Sequence, residues 1–481
     1  MGSDSIRNME SQSGTEDASN SSSNRPHSSS SSPLTTLPFL SLAPQEVWGS
    51  QVAITGDGDC VQEVAPHDPG AGGVYISELP PSKSHISTIQ ITSTMRFLAA
   101  LAMLALSLSL TESVMVCYLE SWAVYRPDKG MFDVEDTDPN ICTHLIFAFA
   151  GITNDGEIKV LDPFHELCDN DGECAFDRFT ALKKQNSELK TTLAVGGWTE
   201  GSEKYSKMAA DPAMRQTFIS STMALLKAHD FDGLDMDWEY PCQRSGMPQD
   251  KENFVTLLGE LAEALHAEGM ILTAAVGAGK YTIDESYDVP GIAEHVDILN
   301  LMTYDLHGDW DNFVHHQSGL YPYRDDYGEM KYLNDDYAVK YWIKKGMPSN
   351  KIAMGVPLYG RCWTLDDPSQ TDYYSSASNP GEPGPWTEEA GMLGYNEICY
   401  GQTTQPDQWV IATAEGMNEP YTYRGSLWCS YENHTSVAIK AQYAKAHNLA
   451  GMMVWSLDTD DFRGDCKARP FDLIKTMVEN F

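Results

Sequence analysis

Three carboxylates, Asp235, Asp237 and Glu239, stand two residues apart in the run Asp-Gly-Leu-Asp-Met-Asp-Trp-Glu-Tyr-Pro at positions 232–241. In an extended chain side chains alternate between faces, so these three line one side while Leu234, Met236 and Trp238 line the other. Next neighbours on one face sit roughly 6–7 Å apart, and two carboxylate charges at that separation repel by ~2.5 kcal/mol at an effective dielectric of about 20. Keeping all three ionised near neutral pH is therefore unfavourable, and one is expected to hold a proton and serve as a general acid. The plainer reading is a solvated edge strand. Against it stand Gly233, which lets neighbouring backbone come close, and apolar partners large enough to pack beneath helices on the far face. An acidic face turned inward, opposite a helix-covered one, is the pattern of a parallel barrel strand.

The rest of the chain supplies such a barrel. Short apolar runs at 116–119, 145–149, 192–196, 233–237, 271–276, 298–302, 352–358 and 452–455 alternate with segments of helical period such as 213–229, 251–267, 336–345 and 436–447. This repetition predicts an α/β fold, a (β/α)8 TIM barrel whose active site lies at the carboxyl ends of the strands. The seventh and eighth runs are too far apart for one helix. Residues 362–430, rich in Gly, Pro, Tyr and Trp, are expected to form a small α+β insertion over the barrel mouth, and a last helix is expected over 471–481.

Barrel logic then gathers the residues at the strand ends. Glu239 ends strand four, Tyr304 and Asp305 end strand six, Tyr359 and Arg361 end strand seven, and Trp455 ends strand eight. Trp122, Trp198 and Trp310 follow strands one, three and six and widen the pocket into an aromatic-lined groove. Flat apolar ring faces with polar rims suit pyranose sugars. Trp238 shares the parity of Leu234 and Met236 and is assigned to packing.

The 481 residues carry 69 Asp and Glu against 32 Lys and Arg, a formal charge of −37, which argues against nucleic acid and other polyanions as partners. Composition changes sharply near residue 95. Residues 1–94, with a Ser run from Ser28 to Ser32, read as a disordered extension outside the mature protein. Met95-Arg96, an apolar stretch over 97–110 and small residues around Thr111-Glu112-Ser113 read as a signal peptide over 95–113, with Met95 as the physiological start. The fourteen residues of this stretch, two of them Ser, fall short of the ~20 that a membrane-spanning helix needs. The mature chain is thus expected to be the catalytic domain over 114–481, secreted and with no membrane partner.

Of ten cysteines, Cys60 precedes Val114 and nine follow it, so an oxidising compartment leaves one unpaired. None has zinc spacing, and neither a metal nor a cofactor is expected. Asp169-Asn170-Asp171-Gly172 has a calcium-loop flavour but Leu167 stands where an acid is required, so it reads as a turn, with Cys168 and Cys174 placed to staple it. Cys362 and Cys429 flank the insertion and could bridge its base. Cys242 is left over. Asn433-His434-Thr435 is an N-glycosylation sequon expected in an exposed position.

The run at 232–241 resembles the DGxDxDxE signature of glycoside hydrolase family 18, the animal chitinases. Also similar are Val116-Cys117-Tyr118 with Tyr125-Arg126-Pro127, the run from Cys142 to Phe149, Ala194-Val195-Gly196-Gly197-Trp198, Met302-Thr303-Tyr304-Asp305, Tyr359-Gly360-Arg361 and Met453-Val454-Trp455. They follow in the family's order over nearly the whole mature chain. The resemblance implies retention without an enzyme nucleophile, an exception to the two-carboxylate rule. Glu239 protonates the glycosidic oxygen while the substrate's own 2-acetamido carbonyl attacks the anomeric carbon. Asp237 stabilises the resulting oxazolinium ion, Asp235 stands behind it sharing a proton, Tyr304 orients the acetamido oxygen, and Trp455 floors the sugar site. Glu239 then acts as base toward water.

By the same resemblance, Tyr118, Phe149, Gly196, Gly197, Trp198, Thr199, Tyr240, Met302, Asp305, Trp310, Tyr359 and Arg361 contact substrate. It also implies that Cys117 pairs with Cys142 and Cys399 with Cys466. The implied substrate is chitin or its soluble oligosaccharides, cut internally by a monomer. Family members that only bind sugar, as lectins, typically lack the acid, whereas Glu239 and both aspartates are present here. The chain departs from the family at Asp169-Asn170, where many members carry an acidic-aromatic pair, which leaves the outermost sugar contacts open. N-terminal sequencing of the secreted protein is expected to begin at Val114, and any start before residue 95 would contradict the leader assignment.

Overall fold

The structure, a computed structural model, describes residues 113–466 and 469–481. The expected extension over 1–94, and all but the last residue of the leader expected over 95–113, lie outside the described residues. No helix among the described residues is long and apolar enough to cross a membrane.

Eight parallel strands close on themselves. In chain order they are β1 (Val114–Glu120), β2 (His144–Ile152), β4 (Lys190–Gly196), β5 (Gly233–Asp237), β6 (Ile271–Gly277), β7 (Ile298–Met302), β8 (Ile352–Pro357) and β15 (Gly451–Trp455). β1 pairs with both β15 and β2, which seals the barrel. The short β3 (Ile158–Val160) adds antiparallel to the end of β2. Helices such as Pro212–Ala228, Asp250–His266, Asp335–Lys345 and His434–Ala446 connect the strands.

Strand parity divides the apolar residues into two layers. Met115, Cys117 and Leu119 of β1 and Leu234, Met236 and Trp238 of the β5 segment belong to the large core between strands and helices. Val116 and Tyr118 belong to a smaller inner cluster with Phe149, Tyr304, Tyr359 and Met453. Trp238 is 1% exposed, as its parity requires, and its indole N–H donates to Ser202 Oγ at 2.9 Å. Two glycines let strands approach. A Cβ at Gly233 would stand 2.1 Å from the Ile271 carbonyl oxygen, and one at Gly355 would stand 2.4 Å from the Leu301 carbonyl oxygen and 2.9 Å from the Tyr304 ring.

A second, antiparallel sheet is built from β9 (Tyr359–Leu365), β10 (Ala377–Pro380), β11 (Met392–Gly394), β12 (Val410–Thr413), β13 (Pro420–Arg424) and β14 (Leu427–Ser430), with the helix Tyr395–Thr404. In chain order all of it falls between β8 and β15. Most barrel strands shift at one or both ends by one to three residues from the sequence reading, and one shift moves expected site residues into another sheet. The seventh barrel strand stops at Pro357 and only Leu358 separates it from β9, so Tyr359 and Arg361 stand in the first strand of the second sheet. The apolar run continued past the barrel because β9 is itself buried at Tyr359, Cys362 and Trp363.

Disulfides join Cys117 to Cys142, Cys168 to Cys174, Cys362 to Cys429 and Cys399 to Cys466, and Cys242 is a free thiol. The segment Asp169–Asp171 is a short turn of 3-10 helix within the Cys168–Cys174 loop. The sequon differs from expectation in its exposure. Asn433 is half-buried because it caps the helix His434–Ala446, its side-chain oxygen accepting from the amides of Thr435 at 2.9 Å and Ser436 at 3.1 Å. Gly355→Ala is expected to lower the unfolding free energy by about 1–3 kcal/mol in urea titration, because neither the Leu301 backbone nor the Tyr304 ring can retreat without disturbing the barrel.

Candidate active site

The strand that carries the acids points them into the barrel. Asp235 is fully buried and its two oxygens are taken by groups from three other strands. Tyr118 Oη of β1 donates at 2.7 Å, Thr273 Oγ1 of β6 at 2.5 Å and Asn300 Nδ2 of β7 at 3.0 Å. Asn300 also donates to Tyr118 Oη at 3.1 Å. Burial raises the Asp235 pKa, and these three hydrogen bonds work in the opposite direction.

Asp237 is 3% exposed and its Oδ1 has no hydrogen-bond partner among the described residues. Burial first, then the charges of Glu239 and Asp235, hold its pKa well above the usual carboxylate range. β5 ends at Asp237, so Glu239 lies two residues beyond the ladder, half-buried at the barrel mouth. Burial pushes its pKa up to about 7. Asp305 adds to the rise, while a hydrogen bond from Tyr240 and the positive charge of Arg244 oppose it. A carboxyl group poised there is half-protonated at neutral pH and suits general acid and base work alike.

Gly196 and Gly197 make room for this strand. A Cβ at Gly196 would stand 1.9 Å from the Asp237 carbonyl oxygen, and one at Gly197 would stand 2.8 Å from the Phe149 ring. Both have positive φ, 125° and 86°, which glycine adopts without strain. The Gly197 amide donates to the Asp237 carbonyl at 2.9 Å. Peptide bonds Ala148–Phe149, Glu239–Tyr240 and Trp455–Ser456 are cis.

Around the acids the aromatic residues form a floor and two walls. Trp455 stacks on Phe149 with centroids 5.5 Å apart and tilts against Tyr118 at 5.2 Å, and Phe149 stacks on Trp122 at 6.1 Å. Tyr304 is buried edge-on to Tyr359 at 6.3 Å, and among the described residues its hydroxyl bonds to Met453 Sδ alone, at 3.7 Å. Asp305 accepts from Tyr359 Oη at 2.7 Å, Arg361 Nε at 2.7 Å and Arg361 Nη2 at 2.6 Å. The Arg361 guanidinium in turn lies 5.4 Å from the Trp310 ring centre. Met302 is half-buried beside the inner cluster, and Tyr240 half-buried beneath Glu239. Trp122, Trp198 and Trp310 remain 43%, 60% and 57% exposed, the exposure a stacking platform needs. Thr199 sits exposed on the turn Trp198–Glu200.

Several residues that build the site were not assigned to it from the sequence. Thr273 and Asn300 hold Asp235, and their signal was a lone polar residue inside an otherwise apolar strand, at inward parity. Behind Trp455, Ser456 Oγ donates to Glu120 Oε1 at 3.0 Å and lies 3.1 Å from Asp458 Oδ2, and Arg126 bridges Glu120 and Asp458. Burial and the Asp458 charge push the Glu120 pKa up to about 8 against the pull of Arg126. Arg244 donates to the Glu239 carbonyl at 3.0 Å and lies flat on Trp198.

A raised carboxyl pKa also has a cost in stability. Below pH 4.5 Glu239 is protonated whether folded or not. Between 4.5 and about 7 the unfolded chain ionises first, so stability falls, and above 7 the loss is complete. Glu239→Gln is therefore expected to melt at the same temperature as the native protein at pH 4 and at a higher one at pH 8, read by differential scanning calorimetry.

Comparison with known proteins places this geometry. Residues 114–460 match the model of the glycosyl hydrolases family 18. The chain is 41% identical over 370 residues to "Probable chitinase 2" of Drosophila melanogaster, covering 74% of this chain and 74% of that protein. A crystal structure of the Ostrinia furnacalis Group IV chitinase in complex with allosamidin superposes with a TM-score of 0.74 at 43% identity, over 76% of this chain and 98% of that one. Human YKL-39, described as a pseudo-chitinase with retained chitooligosaccharide binding, superposes with a TM-score of 0.70 at 35% identity, over 76% of this chain and 99% of that one. From its signature strand, its closed barrel and these relatives, the chain is a member of glycosyl hydrolase family 18, of the animal chitinase type.

Proposed function

We propose that the protein is a secreted, endo-acting chitinase that hydrolyses β-1,4 bonds between N-acetylglucosamine units with retention, using the substrate's own acetamido group as nucleophile. The observation that carries this reading is the pairing of Glu239, whose pKa lies near 7, with the unpartnered, buried Oδ1 of Asp237 two residues earlier. Glu239 donates its proton to the departing glycosidic oxygen. Asp237 Oδ1, unpartnered in the protein, accepts the acetamido N–H and so steadies the positive charge as the carbonyl oxygen closes on the anomeric carbon. The Tyr304 hydroxyl, whose one hydrogen-bond partner among the described residues is a weak thioether acceptor, is free to donate to the acetamido oxygen.

A retaining enzyme with its own nucleophile needs a second free carboxylate across the pocket, about 5 Å from the acid. Asp305 also faces Glu239, but Arg361 and Tyr359 hold it. That arrangement favours the substrate-assisted route. Trp455, stacked on Phe149 and backed by the Ser456–Glu120–Asp458 contacts, supplies the floor on which a sugar ring rests.

The deciding experiment is hydrolysis of a soluble N-acetylchitooligosaccharide by the native protein beside Glu239→Gln. The native protein is expected to cut it, with the anomeric configuration retained by NMR and with activity falling as pH rises through about 7. Glu239→Gln is expected to lose roughly two to four orders of magnitude in kcat while still binding. Binding by both proteins with cleavage by neither would instead mean a lectin on this barrel.

A further inference from the structure

The loop that follows Glu239 carries a residue that touches both the acid and one wall of the groove. Residues 242–250 are pinned from within by Asp250, which is fully buried. Its carboxylate accepts from the amides of Met247 at 2.6 Å and Cys242 at 3.3 Å and from Ser206 Oγ at 2.7 Å. Cys242, Arg244 and Ser245 all have positive φ, 67°, 51° and 73°, an uncommon backbone for residues with side chains. The result is that Arg244 turns back over the site. Its Nη1 donates to the Glu239 carbonyl at 3.0 Å, and its guanidinium lies 3.5 Å from the Trp198 ring centre, in contact with one face of the indole.

Trp198 is 60% exposed. It begins the 3-10 turn Trp198–Glu200, which stands between Gly197 and Gly201, both at positive φ. The far end of the turn is fixed, since Glu200 accepts from the Ile152 amide at 3.0 Å and from Lys204 and Tyr205. The indole itself forms no aromatic pair among the described residues, and Arg244 is the side chain stacked on it. With one face taken by the guanidinium, the opposite face is the one left to a sugar ring.

We propose that Arg244 is a positioning residue that holds Trp198 as a one-sided sugar platform and ties it to Glu239, so that the same side chain sets substrate grip and the protonation of the acid. The proposal rests on the chitinase reading above. The groups that face Glu239 are Asp237 on its own strand, Tyr240 and Arg244 from the following loop, Tyr287 beyond β6, and Tyr304 and Asp305 beyond β7. Arg244 is the cation among them, so its removal raises the Glu239 pKa. Because the acid works when protonated, the alkaline limb of the pH profile then moves to higher pH.

The test compares native protein, Arg244→Gln and Arg244→Lys on N-acetylchitooligosaccharides of two to six units, with folding checked by circular dichroism. Arg244→Gln is expected to raise KM for the longer oligosaccharides about two- to fivefold and to shift the alkaline limb of kcat/KM upward. Arg244→Lys keeps the charge but not the planar stack, so it is expected to keep the native limb while KM still rises. A folded Arg244→Gln with native KM and native alkaline limb would overturn the proposal. Failure of the native protein to cut any of these sugars would instead sink the chitinase reading on which it stands.

Discussion

Everything at the mouth of this barrel depends on one buried carboxylate, Asp235, being satisfied. An ionised acid in an apolar interior is costly unless hydrogen bonds replace its water. Here the replacements come from β1, β6 and β7, so the groups that make the acid tolerable also bind four strands of the barrel together. With Asp235 fixed, the pleat fixes Asp237 one step nearer the mouth, and Glu239 leaves the ladder where substrate can reach it. Asp237 is treated differently. Its Oδ1, without a hydrogen-bond partner among the described residues, costs stability that the ligand N–H of the proposed mechanism would restore. In the proposed mechanism the gradient along one strand, from satisfied to unsatisfied to half-exposed, separates a support from a stabiliser and an acid.

The period-2 pattern made much of this legible in advance. The alternation of Asp235, Asp237 and Glu239 with Leu234, Met236 and Trp238 assigns each side chain to a layer, and the observed layers agree residue by residue. The aromatic residues at the strand ends, Trp455, Tyr304 and Trp122, were readable for a similar reason. A barrel brings its carboxyl ends together whatever the intervening helices do.

Other features were not readable, because they rest on contacts between residues distant in sequence. Nothing near Thr273 or Asn300 says that both will meet Asp235, 38 and 65 residues away. The clamp behind Trp455 joins Glu120 to Ser456 across 336 residues. The boundary at Leu358 was hidden because a buried strand of a second sheet has the same apolar composition as the barrel strand before it. The orientation of Arg244 follows from positive φ at residues whose types do not call for it, a demand set by Asp250 and by packing against the turn at Trp198.

The single residue between β8 and β9 bears on how the groove can move. A lobe joined by a long linker can swing away and admit its ligand from above. Here the strand that carries Tyr359 and Arg361 runs on almost directly from a barrel strand, and Arg361 is locked to Asp305 on the barrel itself. That side of the cleft is thus attached to the barrel twice, through the chain and through the Arg361–Asp305 ion pair. The position of that wall is therefore set jointly by the barrel strand that precedes it and by the Asp305 carboxylate across from it.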